Sequence, residues 1–401
     1  MPVYLDHAAT TPMLPEAKAA YVEALDVVGN PSSIHSQGQN ARRMLEEARE
    51  GVAASLGADP IEVVFTSGGT EAVNLGIKGL YWARRNPAPE RSTGQATGVD
   101  AAAPTRARIL VPRGEHHATV DTVEWLEKYE GAVIEWIPLD ADGRISVDAL
   151  AAALGPDVAL VTMLLANNEV GTVQPVAEVV ALAARFDVPV HVDAVSAYGH
   201  IPIDFASSGL AALSVSAHKI GGPLGIGALV VARTASVVPL IHGGGQQRQV
   251  RSGTQDAPAA IGFAVAARAA HASLAPLRDR VIAGVRAAVP EAVLRGDPVD
   301  RIDNNAHFTF PGCEGDSLLF LLDVAGVSVS TGSACQAGIP EASHVLLAMG
   351  LDEDEARGAI RVTLGHTSTD YDVDVFLAAL PGAVDRARRA GYSDRNVHAT
   401  A

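Results

Sequence analysis

Short apolar runs that alternate with longer helix-like segments are the feature that most restricts how this chain can fold. Ile61 to Thr66, Ala159 to Leu165 and Val188 to Val192 are such runs, and each is predicted to be a strand. The segments Glu71 to Arg85 and Pro175 to Arg185 follow two of them and have the pattern of helices. Because strands that alternate with helices build βαβ units, we predict an α/β fold with a mainly parallel central sheet flanked by helices.

The pattern changes in the last third of the chain. Ala257 to Val289 is rich in alanine and is predicted to be helical, and several short apolar runs follow it. Mixed short strands and helices of this kind predict a smaller α+β lobe. We therefore expect a large domain over residues 15–265 and a small C-terminal domain that residues 1–14 and 266–401 form together.

Composition and charge argue against several classes of protein. Of the 401 residues 48% are hydrophobic and 19% are charged, and the net charge is −16. This is a globular composition, and its acidity argues against a nucleic-acid or anionic-membrane partner. The first residues lack the pattern of a secretory signal, and no apolar run approaches the roughly 18 residues that span a bilayer. With only two cysteines, Cys313 and Cys335, no disulfide framework is expected, and we predict a cytoplasmic protein.

Polar residues gather where the predicted strands end. The segments FTSGGTEA, GEHHATV, ANNEVG, HVDAVS and SAHKIGGPLG each close or follow an apolar run. Ligands of open parallel sheets bind outside the carboxyl ends of the strands. Any one of these segments could be a cap or a turn, but five of them together predict a single ligand-binding crevice.

The first of these segments predicts an anion site. Ser67 to Thr70 turns a strand into a helix, and such a turn presents backbone N–H groups that bind a phosphate. It is not a P-loop, because no Gly-Lys-Ser/Thr follows it. The alternative is a capping box, with Ser67 or Thr70 as the N-cap of the helix.

Lys219 and Asp193 indicate which cofactor this would be. Lys219 lies among small residues at a strand end, with the access that a Schiff base with pyridoxal phosphate requires, and His218 beside it could reach a phosphate. Asp193 ends an apolar strand, where a carboxylate needs a partner such as the protonated pyridine nitrogen of that cofactor. The alternatives are a surface lysine and a metal-bound aspartate. We expect no metal, because His116 and His117 are adjacent and would point to opposite faces of an extended segment.

The two cysteines are predicted to differ in role. Cys335 lies in SVSTGSACQAGIPEASH, a segment rich in Ser, Gly and Ala, which favours an accessible and reactive thiol. The alternative is the usual one for a free cysteine, a small buried hydrophobe. We assign that second interpretation to Cys313, which follows a predicted strand.

Ordered motifs along nearly the whole chain resemble the cysteine desulfurases of the NifS/IscS type, which are class V aminotransferases and pyridoxal 5'-phosphate enzymes of fold type I. The motifs are YLDHAATTP, GNPSSIHSQG, VFTSGGTEAVNLGIKG, GEHHATVDT, ANNEVGTVQP, HVDAVSAYG, SVSAHKIGGPLGIGAL, HGGGQQRQVRSGT, STGSACQAG, HVLLAMGL and IRVTLG. Residues 86–105 are the main extra segment and are expected to be a surface insertion. The resemblance implies a homodimer that converts L-cysteine to L-alanine and passes the sulfur to an acceptor protein, for iron–sulfur cluster assembly or another sulfur pathway.

The resemblance also implies roles for the cofactor-binding residues. Lys219 would carry the cofactor, Asp193 would pair with its ring nitrogen, and His116 would stack on the ring and assist proton transfer. The residues expected to contact the phosphate are Gly69, Thr70, Ser216, His218 and, from the other subunit, Thr254.

Three further residues would handle the substrate. Asn168 would lie near the cofactor hydroxyl and the substrate, and Arg361 would clamp the substrate carboxylate, for which a bidentate guanidinium is suited. Cys335 would attack the substrate sulfur and hold it as a persulfide, with His116 as the candidate base.

Departures from the family pattern leave two rival functions open. Ser196 stands where a glutamine usually donates to the cofactor, Ala217 replaces a glycine, and Gln336 replaces a threonine. One rival is a C–S or C–Se lyase, such as a selenocysteine lyase, that does not use Cys335. The other is a non-catalytic binding relative, against which the joint presence of the expected catalytic residues argues.

Overall fold

A computed structural model describes residues 2–85, 106–269, 272–332 and 342–398 of the chain. The expected insertion at residues 86–105 lies outside them. The strands are β1 (Val3–Tyr4), β2 (Val63–Thr66), β3 (Arg108–Pro112), β4 (Val133–Ile137), β5 (Val158–Leu164), β6 (Val190–Asp193), β7 (Ala212–Ser216), β8 (Gly227–Val231), β9 (Val293–Arg295), β10 (Asn305–Thr309), β11 (Val327–Ser328) and β12 (Ala359–Thr363). The helices are α1 (Pro15–Ala24), α2 (Ser36–Ser55), α3 (Gly69–Arg85), α4 (His117–Glu130), α5 (Val147–Ala153), α6 (Val176–Ala184), α7 (Phe205–Ser208), α8 (Ala257–Arg268), α9 (Ala275–Ala288), α10 (Gly315–Val324), α11 (His344–Ala348), α12 (Glu353–Arg357) and α13 (Asp370–His398).

The central sheet has seven strands in the order β2-β8-β7-β6-β5-β3-β4. All neighbouring pairs are parallel except those that β8 makes with β2 and β7. Every residue of β5, β6 and β7 is buried, as expected for parallel strands covered by helices on both faces. The mainly parallel sheet predicted from the sequence is therefore confirmed.

Helices cover the two faces of this sheet with separate apolar clusters. One cluster joins the sheet to α1, α2 and α8 through residues such as Leu45 and Phe263. The other joins it to α3 and α4 through residues such as Ile77 and Leu126. Full burial of each such side chain stabilises the fold by about 1.5–3 kcal/mol before entropy is counted. The strand ends are thereby held on a rigid layer.

The C-terminal part forms its own core around a smaller sheet. Strands β12, β10 and β9 form a three-stranded antiparallel sheet, and β1 pairs with β11. The core under α9, α10 and α13 includes Val3 and Leu5 from the N-terminus. This shared core supports the expected small domain of residues 1–14 and 266–401, although its boundaries stay a prediction.

Two element predictions need correction. Ala257 to Val289 is two helices, and they serve different cores, since Phe263 of α8 packs under the central sheet and Val281 of α9 packs under the smaller one. Ile61 belongs to a 3-10 turn over Pro60–Glu62, in which Glu62 and Asp59 form a reciprocal cap, so β2 starts later than predicted. No helix in the described part of the chain is long and apolar enough to cross a membrane.

Candidate active site

A cavity of about 410 Å³ opens where the strand ends of the central sheet face the smaller sheet. Each of the five polar segments predicted to share a crevice contributes to its wall, so that convergence is confirmed. The predicted site residues that line it are Gly69, Thr70, His116, Asn168, Asp193, Ser196, Ser216, His218, Lys219 and Arg361. Ala8 and Ala9 close it from the N-terminal segment.

One end of the cavity is built for an anion. Helix α3 begins at Gly69, where an added Cβ atom would lie 2.7 Å from Cγ2 of Val195. Glycine therefore allows the close packing that directs the first N–H groups of a 17-residue helix into the cavity. The buried hydroxyl of Ser216 has no hydrogen-bond partner within the described residues. The capping-box alternative with Ser67 or Thr70 as N-cap is wrong, because the helix starts between them.

Asp193 contributes a buried carboxyl group to the wall of the same cavity. It is the last residue of β6, and one of its carboxylate oxygens accepts a hydrogen bond from the backbone N–H of Val195 at 2.9 Å. Burial raises the pKa of Asp193 to about 6. A carboxylate in this position is best stabilised by a cationic group of a ligand.

Lys219 also lines the cavity, on the 3-10 turn Ala217–Ile220 that follows β7. Its amine donates hydrogen bonds to the carbonyl oxygens of Ala8 and, at 2.9 Å, of Ala9. Burial lowers the pKa of Lys219 to about 8, and the positive charge of Arg361 acts in the same direction. About a tenth of the amine is therefore neutral and nucleophilic at pH 7, far more than for an ordinary lysine.

His116 is the N-cap of α4, and its Nδ1 accepts a hydrogen bond from the backbone N–H of Ala118 at 3.0 Å. Burial lowers the pKa of His116 to about 4, so the ring is neutral and carries its proton on Nε2. The expectation that His116 and His117 would point to opposite faces of an extended segment is wrong. A helix begins at His117, and both histidines line the cavity. The ring of His117 lies 5.0 Å from that of His344.

Arg361 lies on β12 with its guanidinium in the cavity and only 6% exposed. Its Nη1 donates to the carbonyl oxygen of Asn168 at 2.9 Å, and its Nη2 donates to Oδ1 of Asp6 at 3.0 Å. Nε of Arg361 and the side-chain oxygen of Asn168 are buried without a partner in the described part of the chain. The Nε–H of Arg361 therefore leaves a donor for a ligand carboxylate, and the Asn168 oxygen leaves an acceptor for a ligand N–H or O–H group.

One predicted site residue lies away from this cavity, and another lies outside the described residues. Thr254 is exposed and lies outside it. Cys335 lies outside the described residues, although Ser330 and Gly332 just before it line the cavity. Cys313 is 4% exposed, and its thiol points to the carbonyl oxygen of Val384, so the predicted structural role is confirmed.

Sequence reasoning missed four residues at this site. Asp6, which pairs with Arg361, and Glu115, Glu169 and His344 all lie in or against the cavity wall. All four stand inside motifs already noted, YLDHAATTP, GEHHATV, ANNEVG and HVLLAMGL. These motifs were therefore the sequence feature that could have indicated the four residues. Contacts between segments distant in sequence were needed to identify them.

Comparisons with known proteins agree with this architecture. The family model described as aminotransferase class-V matches residues 3–92 and 95–376. An IscS-like cysteine desulfurase of Mycobacterium tuberculosis is 52% identical over 401 residues, covering 97% of this chain and 98% of the relative. A solved structure described as a NifS-like protein superposes with a TM-score of 0.85 and 32% identity, covering 96% of this chain and all of that one. Another, described as SspA in complex with cysteine, has a TM-score of 0.77 and 32% identity, with 90% and 98% covered. These matches confirm the expected fold class, fold type I of the pyridoxal-phosphate enzymes.

Proposed function

The chain belongs to the class V aminotransferase family, and on that basis we propose that it is a pyridoxal-phosphate-dependent cysteine desulfurase. It converts L-cysteine to L-alanine and transfers the sulfur to Cys335, from which an acceptor protein takes it. The observation that carries the proposal is the convergence of Lys219, Asp193, His116 and Arg361 on one cavity. The whole-chain likeness to cysteine desulfurases supports the choice of substrate.

The residues of the cavity fit pyridoxal phosphate. The unpartnered Ser216 hydroxyl, with Gly69, Thr70 and His218, would hold the phosphate, and buried Asp193 would hold the ring nitrogen as a cation. His116 would lie against the ring, with Asn168 and Ser196 near its hydroxyl. When bound, the cofactor supplies an electron sink for the substrate α-carbon.

Arg361 and Asn168 would bind the substrate. The Arg361 guanidinium is held by Asp6 and by the Asn168 carbonyl, so its orientation is set before cysteine arrives. A pre-oriented guanidinium binds a carboxylate with little loss of side-chain entropy. Since Lys219 lines the same cavity, a carboxylate bound by Arg361 would leave the α-carbon within that cavity, where Lys219 could reach it.

Lys219 would move the α-proton of the substrate. Its lowered pKa leaves a fraction of the amine free to accept a proton at Nζ near neutral pH. Neutral His116 holds a proton on Nε2 that it can donate within the cavity. The two side chains thus divide proton acceptance and donation between them.

Cys335 would receive the sulfur. As a thiolate it attacks the substrate sulfur, the C–S bond breaks, and the α-amino acid fragment takes a proton to become alanine. Cysteine and the Cys335 thiol thereby give alanine and a Cys335 persulfide, with no external oxidant. A free thiol has a pKa of about 8.5, so a base is needed. His116 in that role stays a prediction, and it could act so only after it has donated the proton that its Nε2 carries.

The proposed assembly is a homodimer in the cytoplasm. Thr254 is exposed and outside its own cavity, which supports a role for it in the cavity of the partner subunit. The segment before it contains three consecutive left-handed residues, Gln247, Arg248 and Gln249, with φ of 49°, 59° and 65°. Strained backbone of this kind is typical of functional contacts.

The test is conversion of cysteine by the cofactor-loaded protein. We expect equimolar alanine and sulfur on the protein or its acceptor, with the cofactor covalently linked after borohydride reduction. Lys219→Ala removes the amine that forms this link and should lose both the link and alanine formation, whereas Lys128→Ala, a matched change at an exposed lysine, should lose neither. A reducible link that persists at the site in Lys219→Ala would overturn the cofactor assignment.

A further inference from the structure

Glu169 carries a buried carboxyl group that the proposed reaction leaves unassigned. The residue is only 2% exposed, and its Oε2 accepts a hydrogen bond from the hydroxyl of Ser343 at 2.5 Å. A buried carboxyl group is costly unless its hydrogen bonds are made. Ser343 lies two residues after Glu341, the last residue of the segment 333–341 that contains Cys335.

The same carboxyl group lies against the other end of that segment. Gly332 directly precedes it and has a φ of +89°. A Cβ atom added at Gly332 would lie 3.4 Å from Oε2 of Glu169 and 3.1 Å from Cε1 of buried His307. Glycine is therefore required twice at this position, by the backbone conformation and by the close approach of both side chains.

The backbone of Glu169 is fixed on the turn after β5. Its N–H donates to the side-chain oxygen of Asn167 at 2.9 Å, and its carbonyl oxygen accepts from the side chain of Asn305 at 2.9 Å. The carboxyl group thus projects from a rigid support. A hydrogen bond from such a support restrains its partner more than one from a mobile loop does.

This turn also holds the residue proposed to bind the substrate. The carbonyl oxygen of Asn168, next to Glu169, accepts from Arg361 at 2.9 Å. Arg361 in turn pairs through its backbone with Ser330, whose hydroxyl accepts from the N–H of Gly332 at 3.1 Å. One turn therefore contacts both the substrate clamp and the two ends of the Cys335 segment.

We propose that Glu169 is a positioning residue that ties together the two ends of the segment carrying Cys335 and so sets where the thiol meets the substrate sulfur. The inference rests on the proposed function, because it gives Glu169 a task in sulfur transfer. The proposed tie consists of the hydrogen bond between Glu169 and Ser343 and the close approach of the Glu169 carboxyl group to Gly332.

Thiol reactivity tests this without using turnover. Native, cofactor-loaded protein is treated with iodoacetamide, and alkylation of Cys335 and Cys313 is followed by peptide mass spectrometry. Loss of a buried hydrogen bond to a carboxyl group shifts a local equilibrium by about tenfold, so Glu169→Ala and Ser343→Ala should each raise the alkylation rate of Cys335 by roughly that factor. Glu169→Gln keeps an oxygen acceptor for Ser343 and should restore most of the protection.

Matched controls separate this restraint from general loosening. Ser343 also caps α11, through the N–H of Leu346, and Ser146 caps α5 in the same way. Ser146→Ala therefore removes an equivalent cap whose hydroxyl is not bonded to Glu169, and it should leave Cys335 at the wild-type rate. Buried Cys313 should stay unreactive in every folded variant and so reports unfolding.

A second measurement links the restraint to chemistry. With cysteine added for a single turnover, the yield of persulfide on Cys335 should fall in Glu169→Ala and recover in Glu169→Gln. The inference would be overturned if Cys335 in Glu169→Ala were alkylated at the wild-type rate. It would also be overturned if Ser343→Ala and Ser146→Ala raised the alkylation rate of Cys335 equally. If Glu169→Ala does not fold, the two serine variants decide. A wild-type protein that makes no alanine would overturn the proposed function instead, independently of the alkylation result.

Discussion

The carboxylate of Asp6 accepts a hydrogen bond from Nη2 of Arg361 at 3.0 Å, although the two residues are 355 positions apart in the chain. The Arg361 side chain is 7% exposed and that of Asp6 is 21% exposed. A buried guanidinium without such a partner would be costly. Asp6 therefore both stabilises Arg361 and orients it toward the cavity.

Arg361→Ala should weaken cysteine binding more than cofactor binding. Loss of a charge-assisted pair with a carboxylate costs about 2–5 kcal/mol. Titration of the cofactor-loaded variant with cysteine, followed by the cofactor absorbance, measures this affinity. Arg357→Ala, which removes an exposed arginine paired with Glu353, is the control and should change little. An unchanged affinity for cysteine in Arg361→Ala would place the clamp elsewhere.

Asp193→Asn should stabilise the cofactor-free protein at neutral pH. The folded-state pKa of Asp193 is raised to about 6 from an ordinary value of 3.8. The folded protein therefore bears a desolvated charge above pH 6, and this penalty fades as the pH falls toward 3.8, where the residue is protonated in both states. Asparagine keeps the oxygen that accepts from Val195 but has no charge to desolvate.

Thermal unfolding at several pH values checks this sign. The variant should have the higher melting temperature at pH 7–8, and the difference should shrink toward pH 4. The same substitution should lower cofactor affinity, because the cationic ring nitrogen loses its partner. A variant that is less stable than wild type at pH 8 would contradict the unpaired-charge interpretation of Asp193.

Cys335→Ala should keep cofactor and substrate binding but lose sulfur transfer. The other cysteine of the sequence, Cys313, is buried, and burial raises the pKa of its thiol. Incubation with cysteine, followed by mass spectrometry for persulfide and an assay for alanine, checks this. Cys313→Ala is the control and should form persulfide normally.

Two outcomes would favour the lyase alternative over the desulfurase. One is alanine formation by Cys335→Ala at the wild-type rate with the sulfur released as elemental sulfur, or as sulfide where a thiol reductant in the assay supplies two electrons. The other is a persulfide that maps to Cys313. Either result would remove Cys335 from the reaction while leaving Lys219 and the cofactor in place.

Ser196→Gln should change the pH titration of the cofactor absorbance. Ser196 lines the cavity and is only partly buried, and its hydroxyl is shorter than the glutamine side chain usual in the family. A longer donor at this position should stabilise the deprotonated ring hydroxyl and lower its apparent pKa. Identical titrations of both proteins would show that residue 196 does not contact that oxygen.

The sequence alone was sufficient for most strands of the central sheet, although β4 and the antiparallel placement of β8 were not predicted. Runs such as Ala159 to Leu165 are apolar throughout because a parallel strand is covered on both faces, so their identity as strands needed no tertiary information. The same logic identified the strand ends that carry Lys219 and Asp193. Helices α1 and α2 were not predicted. Helix α1 has few periodic apolar residues, so it is recognised only where it packs on α8.

What the sequence by itself determined is therefore the set of reactive groups and the end of the sheet at which they stand. Tertiary structure alone decided how they are paired: Arg361 with Asp6 and Asn168, and Glu169 with Ser343. Local patterns carry periods of two or 3.6 residues, but contacts between residues 174 or 355 positions apart depend on how two cores are placed against each other. The free energy of burying each core, rather than any local propensity, brings these side chains within hydrogen-bonding distance.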